Sequence, residues 1–336
     1  MTGIEEVARA AGVSTTTVSR ALSGRGRVSV ATREHVCAVA DRLGYVVSAA
    51  AATLASGRAQ NIGVVVPLLD RWFFATVLDG IARRLAPHGY DITLYALTDD
   101  PVQRRGVFET SLRRGRVDAV IVLSGQLTDT EVTDLRGLGL PVVGLGVWRD
   151  EFPTLRVDDT AVGRVAAEHL LGLGHRALAH IGHSVAGGSS SDPEYEIPTR
   201  RRLGFEQAAQ DAGIAPVRFA EGDFTIEGGR RAALELLGQP NPPTAIFAAS
   251  DEMAYGALAA ARGLGLSVPH DLSVMGVDGH DLAALFDLTT IDQFPHAQGE
   301  SVAEAILARL GIPDDTAPDP ALTFELVVRG STGPAR

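Results

Sequence analysis

Apolar positions in the first sixty residues follow a helical period. Ile4, Val7, Ala8 and Ala11 recur at i, i+3, i+4 and i+7, and Gly12 stops the run. Val13 precedes Ser14, whose short hydroxyl suits an N-cap, and Val18, Ala21 and Leu22 make the inward face of a second short helix. Gly24 and Gly26 interrupt the chain; Thr32 is the expected cap of a third helix, in which Val36, Val39, Ala40 and Leu43 keep the same spacing before Gly44. Three short helices with a tight glycine turn between the first two predict a helix-turn-helix domain over 1–46.

From Asn61 the pattern changes. Short β-branched runs at 62–66, 92–96, 119–123, 142–145, 178–181, 245–249 and 272–277 alternate with amphipathic stretches such as 162–173, 203–212 and 253–264. Such alternation predicts doubly wound parallel sheets, with strands enough for two lobes. Between the two patterns lies an Ala-rich run, 47–56, too short to hold as a helix alone in water. Clamped against DNA or a second subunit it could form, so 47–60 reads as a hinge helix and linker. The expected fold is therefore α/β: a three-helix head, a hinge helix, and a two-lobed core over 61–336.

Charge sharpens this division. The chain carries −11 overall, yet residues 1–60 hold seven arginines against four acids, leaving +3 on the head and −14 on the remainder. A basic head on an acidic body is the asymmetry expected when only the head meets phosphate. The single cysteine, Cys37, excludes an internal disulfide, and no Cys/His cluster has zinc spacing, so neither metal nor cofactor is expected. The N-terminus has no secretory pattern and no apolar run approaches a membrane span; a cytoplasmic protein with no membrane partner is the expectation.

Candidate chemistry sits in two places. On the second helix Thr16, Ser19 and Arg20 face outward, with Ser14, Thr15 and Thr17 at its N-terminal end. Arginine reads guanine bidentately and threonine methyls meet thymine. In doubly wound folds ligands bind beyond the carboxyl ends of strands. Here those positions carry Phe73 and Phe74, Ser124, Trp148, Asp158, Ser250 and Asp278, while Arg201 opens a helix after a Gly/Ser stretch; Gln293 is a further candidate. Aromatic faces with Arg, Asp and Ser make a hydroxyl-binding set, suited to a sugar or nucleoside-like ligand.

Val7-Ala8, Ala11-Gly12-Val13-Ser14, Thr17-Val18-Ser19-Arg20, Thr32-Arg33, Leu43-Gly44-Tyr45 and the Ala51-x-x-Leu54 step resemble the lactose-repressor/galactose-repressor (LacI/GalR) family. The likeness continues through the body, in Gly204-Phe205, Gly222-Asp223-Phe224-Thr225 and Thr289-Thr290. The resemblance implies that Thr15, Thr16 and Arg20 read base edges, that Ser14, Tyr45 and Ser48 touch phosphates, and that Leu54 of each subunit wedges into a minor-groove step. It implies a core like the periplasmic sugar-binding proteins, with three crossovers near 157–161, 289–293 and 320–326. Lobe one would then span about 61–158 and 292–323, and lobe two about 159–291 and 324–336. Effector contacts are implied at Phe74, Ser124, Asp158, Arg201, Phe224, Ser250 and Asp278. This chain departs from the family at Ala52, Arg71-Trp72, Ser250 and Val277-Asp278-Gly279.

The expected protein is thus a homodimeric regulator, a repressor in sense, binding a pseudo-palindromic operator in double-stranded DNA under control of a sugar or sugar derivative. A transport-system solute-binding protein would explain the body but leave the basic head without a task. An enzyme on the same fold finds no Gly-x-Gly-x-x-Gly after a strand, no P-loop and no Gly-x-Ser-x-Gly.

Overall fold

The computed structural model describes residues 3–22, 27–45, 57–98, 100–123, 127–183, 197–312 and 322–336. Ser48, Ala51 and Leu54 of the expected hinge, and Ser124, lie outside the described residues. The chain divides into two compact units, one holding residues up to Asn61 with Gly115–Asp118, the other holding the rest.

In the first unit, α1 (Ile4–Ala11), α2 (Thr15–Leu22) and α3 (Val30–Arg42) close over one small core of Val7, Ala11, Val18, Ala21, Val36 and Val39. Gly12 takes a left-handed backbone (φ 65°) that ends α1 and turns the chain into α2. Ser14 Oγ accepts from the Thr17 N–H at 3.1 Å, satisfying a donor that the first turn of α2 would otherwise leave open. The third helix starts earlier than its sequence suggests. Ser29 is its cap, accepting from the Thr32 N–H at 3.1 Å, so Thr32 supplies the donor and lies inside the helix.

The second unit contains two sheets. The first has order β2-β1-β3-β4-β5, from β1 (Asn61–Val66), β2 (Asp91–Ala96), β3 (Ala119–Leu123), β4 (Val142–Leu145) and β5 (Thr154–Leu155). Between these strands run α4 (Trp72–Leu85), α5 (Pro101–Gly106) and α6 (Asp129–Arg136). The second has order β11-β10-β9-β8-β6-β7, from β6 (Leu178–Gly182), β7 (Arg218–Glu221), β8 (Ala245–Ala248), β9 (Ser273–Asp278), β10 (Thr289–Asp292) and β11 (Glu325–Val327). It is covered by α7 (Asp159–Gly172), α8 (Ile197–Asp211), α9 (Ile226–Leu237) and α10 (Asp251–Gly263). Its pairs are parallel except β10 with β11. Strands β3, β4, β6, β8 and β9 are buried along their whole length, as expected of sheets clothed on both faces.

The last long helix, α11 (Pro295–Arg309), belongs to the first sheet: Val302, Ala303, Ile306 and Leu307 share its core with Ile62, Ile121 and Val143. The chain therefore crosses between lobes after β5, after β10, and once more between Ile312 and β11. At the hinge the Leu322 N–H donates to the Arg156 carbonyl at 3.1 Å, holding two crossing strands together.

Three helix pairs approach through reciprocal glycines. A β-carbon on Gly163 of α7 would overlap the Arg201 carbonyl on α8, and one on Gly204 of α8 would overlap the Thr160 carbonyl on α7. Gly80 and Gly299 do the same for α4 and α11, Gly229 and Gly256 for α9 and α10. Backbones this close leave no room for a methyl, so the α7–α8 contact fixes where Arg201 projects. Gly163→Ala is expected to lower stability by about 2–3 kcal/mol, because the helices must separate. Gly172→Ala, at the open end of the same helix with no atom within 4 Å, is expected to raise it by about 0.5–1 kcal/mol. Denaturant midpoints of the two variants check both signs.

Candidate functional site

Between the lobes lies a cavity of about 170 Å³. Pro67, Leu68, Arg71, Phe73, Phe74, Gly146 and Gln298 line it from the first lobe, with Val157 at the hinge. Asp159, Arg201, Phe224, Ser250, Glu252, Asp278 and Gln293 complete the wall on the second-lobe side. The strand-end rule explains most of this list. β1 leads to Phe73 and Phe74, β7 to Phe224, β8 to Ser250, β9 to Asp278 and β10 to Gln293.

Arg201 organises the polar wall. Only 5% exposed, its guanidinium donates through Nε to Asp159 Oδ1 at 2.8 Å, through Nη1 to the Ala249 carbonyl at 2.8 Å, and through Nη2 to Gln293 Oε1 at 2.9 Å. Gln293 in turn donates to Asp278 Oδ1 at 2.8 Å, and Gln298 donates to the Gln293 carbonyl at 2.6 Å. Burial raises the Asp159 carboxyl above its ordinary range, and Arg201 opposes that shift. A buried pair of this kind fixes geometry more than it adds stability, since desolvation offsets much of the attraction.

Asp278 is pushed up to about 7, by burial first, against the pull of Arg201 and with the repulsion of Glu252. Its neighbour Asp251, fully buried, is raised well above its ordinary value by burial and by the Asp278 charge. Asp251 sits at the first position of α10 but is not its cap. Ser250 is, its Oγ accepting from the Met253 N–H at 3.2 Å, which leaves the hydroxyl proton to donate into the cavity. Asp251 instead accepts from the His280 N–H at 2.8 Å and the Thr290 hydroxyl at 2.7 Å, bracing the loop after β9 against β10.

The apolar wall is aromatic. Phe73 and Phe74 meet edge to face, centroids 5.4 Å apart, and Phe224 closes the other side against His183. Phe224 (φ 56°) and Asp278 (φ 128°) hold left-handed backbone, as does Phe294 (φ 52°) beside Gln293. Side chains seldom adopt these angles, and such strain gathers where a wall must face one way.

Seven expected effector residues thus line one cavity: Phe73, Phe74, Arg201, Phe224, Ser250, Asp278 and Gln293. Asp158 does not. It is exposed and caps α7, accepting from the Ala161 N–H at 3.0 Å, while the next carboxylate, Asp159, faces Arg201. Trp148 also lies off the wall, its ring covered by Arg200 at 3.4 Å and Arg156 at 4.2 Å. Arg71 and Asp159 lie in the same strand-end stretches as Phe73 and Asp158 but are not among the expected effector contacts. Glu252 and Gln298 carried no such signal, because each is an inward position on the first turns of a helix.

On the head, Ser14, Thr15, Thr16 and Arg20 are exposed, and Thr17 and Ser19 half-buried. The Thr17 hydroxyl is engaged with Ser14 Oγ at 2.9 Å. Tyr45 rests on the small core, its N–H donating to the Ala40 carbonyl at 2.9 Å.

Asp278 gives a stability test with a definite sign. The folded carboxyl holds its proton up to about pH 7, whereas the unfolded one releases it near the ordinary 3.8. The native protein therefore loses stability as pH climbs from about 4 to about 7 and keeps that deficit above. Asp278→Asn retains the acceptor for Gln293 without the charge. Its thermal midpoint, measured against the parent from pH 4 to 8, should gain steadily through that window, by up to about 3–4 kcal/mol. A pH-independent difference would contradict the assignment.

A profile of bacterial regulatory proteins of the lacI family matches residues 3–48, and one of the periplasmic binding protein-like domain matches 167–332. The chain is 33% identical to the HTH-type transcriptional repressor CytR of Escherichia coli K12, over 98% of this chain and 96% of that one. The lac repressor dimer bound to operator and the anti-inducer ONPF aligns with TM-score 0.84 at 26% identity, over 99% of both chains. The CelR–cellobiose complex aligns with TM-score 0.70 at 28% identity, over 98% of this chain and 100% of that one. Among the described residues no helix is long and apolar enough to cross a membrane. With its helix-turn-helix head, its two-lobed core and a repressor matched almost end to end, the chain belongs to the LacI family of bacterial transcriptional regulators.

Proposed function

We propose that this regulator represses transcription as a homodimer and is controlled by a neutral, single-ring polyhydroxylated effector held between its lobes. The single observation that carries the effector reading is the hydrogen-bonded Arg201–Gln293–Asp278 set facing Phe73, Phe74 and Phe224 in one cavity. Aromatic faces cover the apolar side of a sugar ring, while Asp278 accepts from its hydroxyls and Ser250 donates. At about 170 Å³ the cavity falls below the roughly 300–1,000 Å³ of sites for drug-sized ligands, which favours one ring over two. Asp159 already neutralises Arg201, so the wall offers little to a phosphate.

The DNA reading rests on α2, with Thr15, Thr16 and Arg20 at base edges, Ser14, Tyr45 and Ser48 at phosphates, and Leu54 as a hinge wedge through Ala51–Leu54. For the dimer, an apolar groove on the second lobe offers a face, where Ile226, Leu282 and Phe286 stand 50%, 41% and 45% exposed beside Tyr255 and Leu258. A patch of that kind on a protein in water marks an interaction surface, and the lac repressor to which the chain is similar is a dimer on its operator.

Two experiments test this. Selection of bound sequences from a random duplex library should return a pseudo-palindrome. Arg20→Ala should then lower affinity about 10–100-fold and relax preference at one base pair per half-site, with little change on random DNA. Equal losses on both would remove α2 as the reader. In a thermal-shift panel, a neutral monosaccharide or nucleoside at about 100 times its Kd should add about 2.7 kcal/mol. Its 6- or 5-phosphate and a disaccharide should add none. A response confined to the phosphates or disaccharides would overturn the effector class.

A further inference from the structure

The chain has two tryptophans, and both reach across the cleft. Trp72 opens α4 in the first lobe. Its ring stacks on His280 of the second lobe, centroids 4.4 Å apart at 25°, and its Nε1–H donates to Asp281 Oδ2 at 3.2 Å. Burial raises the Glu252 carboxyl of α10, and Arg71 and the Trp72 backbone N–H oppose that shift. The residue before Trp72, Arg71, caps α4 with no side-chain hydrogen bond. The first turn of a first-lobe helix therefore faces a carboxylate of the second lobe. Tyr255 stands edge-on to the same imidazole at 5.3 Å, and the His280 N–H is held by Asp251, so the receiving side is braced from within its own lobe.

Trp148 follows β4, two strands along the same sheet from β1, with β3 between. The Arg200 guanidinium from α8 of the second lobe lies 3.4 Å over its ring, and Arg156 from the hinge lies at 4.2 Å. Contacts of this type are each modest, but stacking and cation–π attraction strengthen as water leaves the ring. The cavity runs between the two: Arg71 and Phe73 flank Trp72, while Gly146 and Val157 neighbour Trp148 and Arg156.

We propose that Trp72 with Glu252 and Asp281, and Trp148 with Arg200, are two clasps that hold the lobes together whether or not the cavity is occupied, and so position its two walls. The clasps act as one device because both bridge the same two bodies. Opening either rotates a lobe away from the other, which loosens the second. The clasps need no effector and do not depend on its chemical class. It does bear on any effector, since Glu252 and Arg71 face both the clasp and the cavity. A ligand that draws Glu252 away from Trp72 would open one clasp as it binds.

Single-tryptophan forms of the full chain, without ligand, test the coupling. Trp72→Phe keeps a ring on His280 and leaves Trp148 as the only indole; Trp72→Ala with Glu252→Ala removes the first clasp. Acrylamide quenching of Trp148 should then rise by about twofold or more, although none of these residues touches it. In the reciprocal arm, Trp148→Phe leaves Trp72 as reporter, and adding Arg200→Ala should raise quenching of Trp72 similarly. Circular dichroism identifies any variant that fails to fold, and the other arm then decides. Increased quenching at the distant indole in a folded variant supports paired clasps. Unchanged quenching there overturns them, because two local surface contacts would not communicate.

Discussion

A guanidinium taken out of water must find several acceptors or cost far more than a fold of this size has to spare. Arg201 solves this with one acceptor from each of three separate stretches: Asp159 at the start of α7, the Ala249 carbonyl just past β8, and Gln293 at the second crossover. None of these segments is near another in sequence, so satisfying the charge ties the hinge to the second lobe. Much else follows from where that side chain must sit. It emerges from α8 beside Gly204, whose contact with α7 admits no β-carbon, so the helix pair delivers the charge to one place. Gln293, once turned toward Arg201, has only its amide left to offer, and that holds Asp278.

How far the sequence reveals this differs by element. The head is legible because each of its helices is short, one-sided and bounded by glycine or a hydroxyl cap; only the start of α3 misleads, since Ser29 and Thr32 can each cap and backbone geometry selects the former. The strands are legible as β-branched runs, and the strand-end rule brings Phe73, Phe74, Ser250 and Asp278 to one wall. The rule cannot choose between adjacent residues. Asp158 and Asp159 are chemically alike, and the turn into α7 sends the first to the helix end and the second inward. It also cannot see across the cleft. Glu252 and Gln298 matter because another lobe or another helix faces them, and one-dimensional periodicity holds no record of that.

Charge follows the same division of labour. The acidic surplus of the core keeps phosphate contacts to the head, while the net +3 on the first sixty residues supplies only modest non-specific attraction. In the proposed dimer, doubling the head would restore affinity without a broad basic surface that would bind any duplex. The base-edge contacts proposed for α2 would then account for a larger share of the discrimination than in a strongly basic domain.

An effector can shift such a system only by binding one arrangement of the lobes better than another. The cavity meets this condition by construction. Phe73, Phe74 and Gln298 belong to the first lobe, and Arg201, Phe224, Ser250 and Asp278 to the second, so a ligand touches the full set only when the lobes are close. The cost of that closed wall is already visible in the protein itself. Left-handed backbone at Phe224 and Asp278 and a carboxyl held near neutrality store free energy that a hydroxylated ligand offsets by hydrogen bonding. Clasps at Trp72 and Trp148 work in the same direction but without selectivity, for they respond to lobe position and not to what fills the space. Closure by clasps sets how far the equilibrium stands from its midpoint; closure by ligand moves it. A regulator whose clasps were too strong would be shut at all times and blind to its effector. The modest size of each contact, an exposed-edge stack and a single 3.2 Å hydrogen bond, is what keeps the cavity able to report.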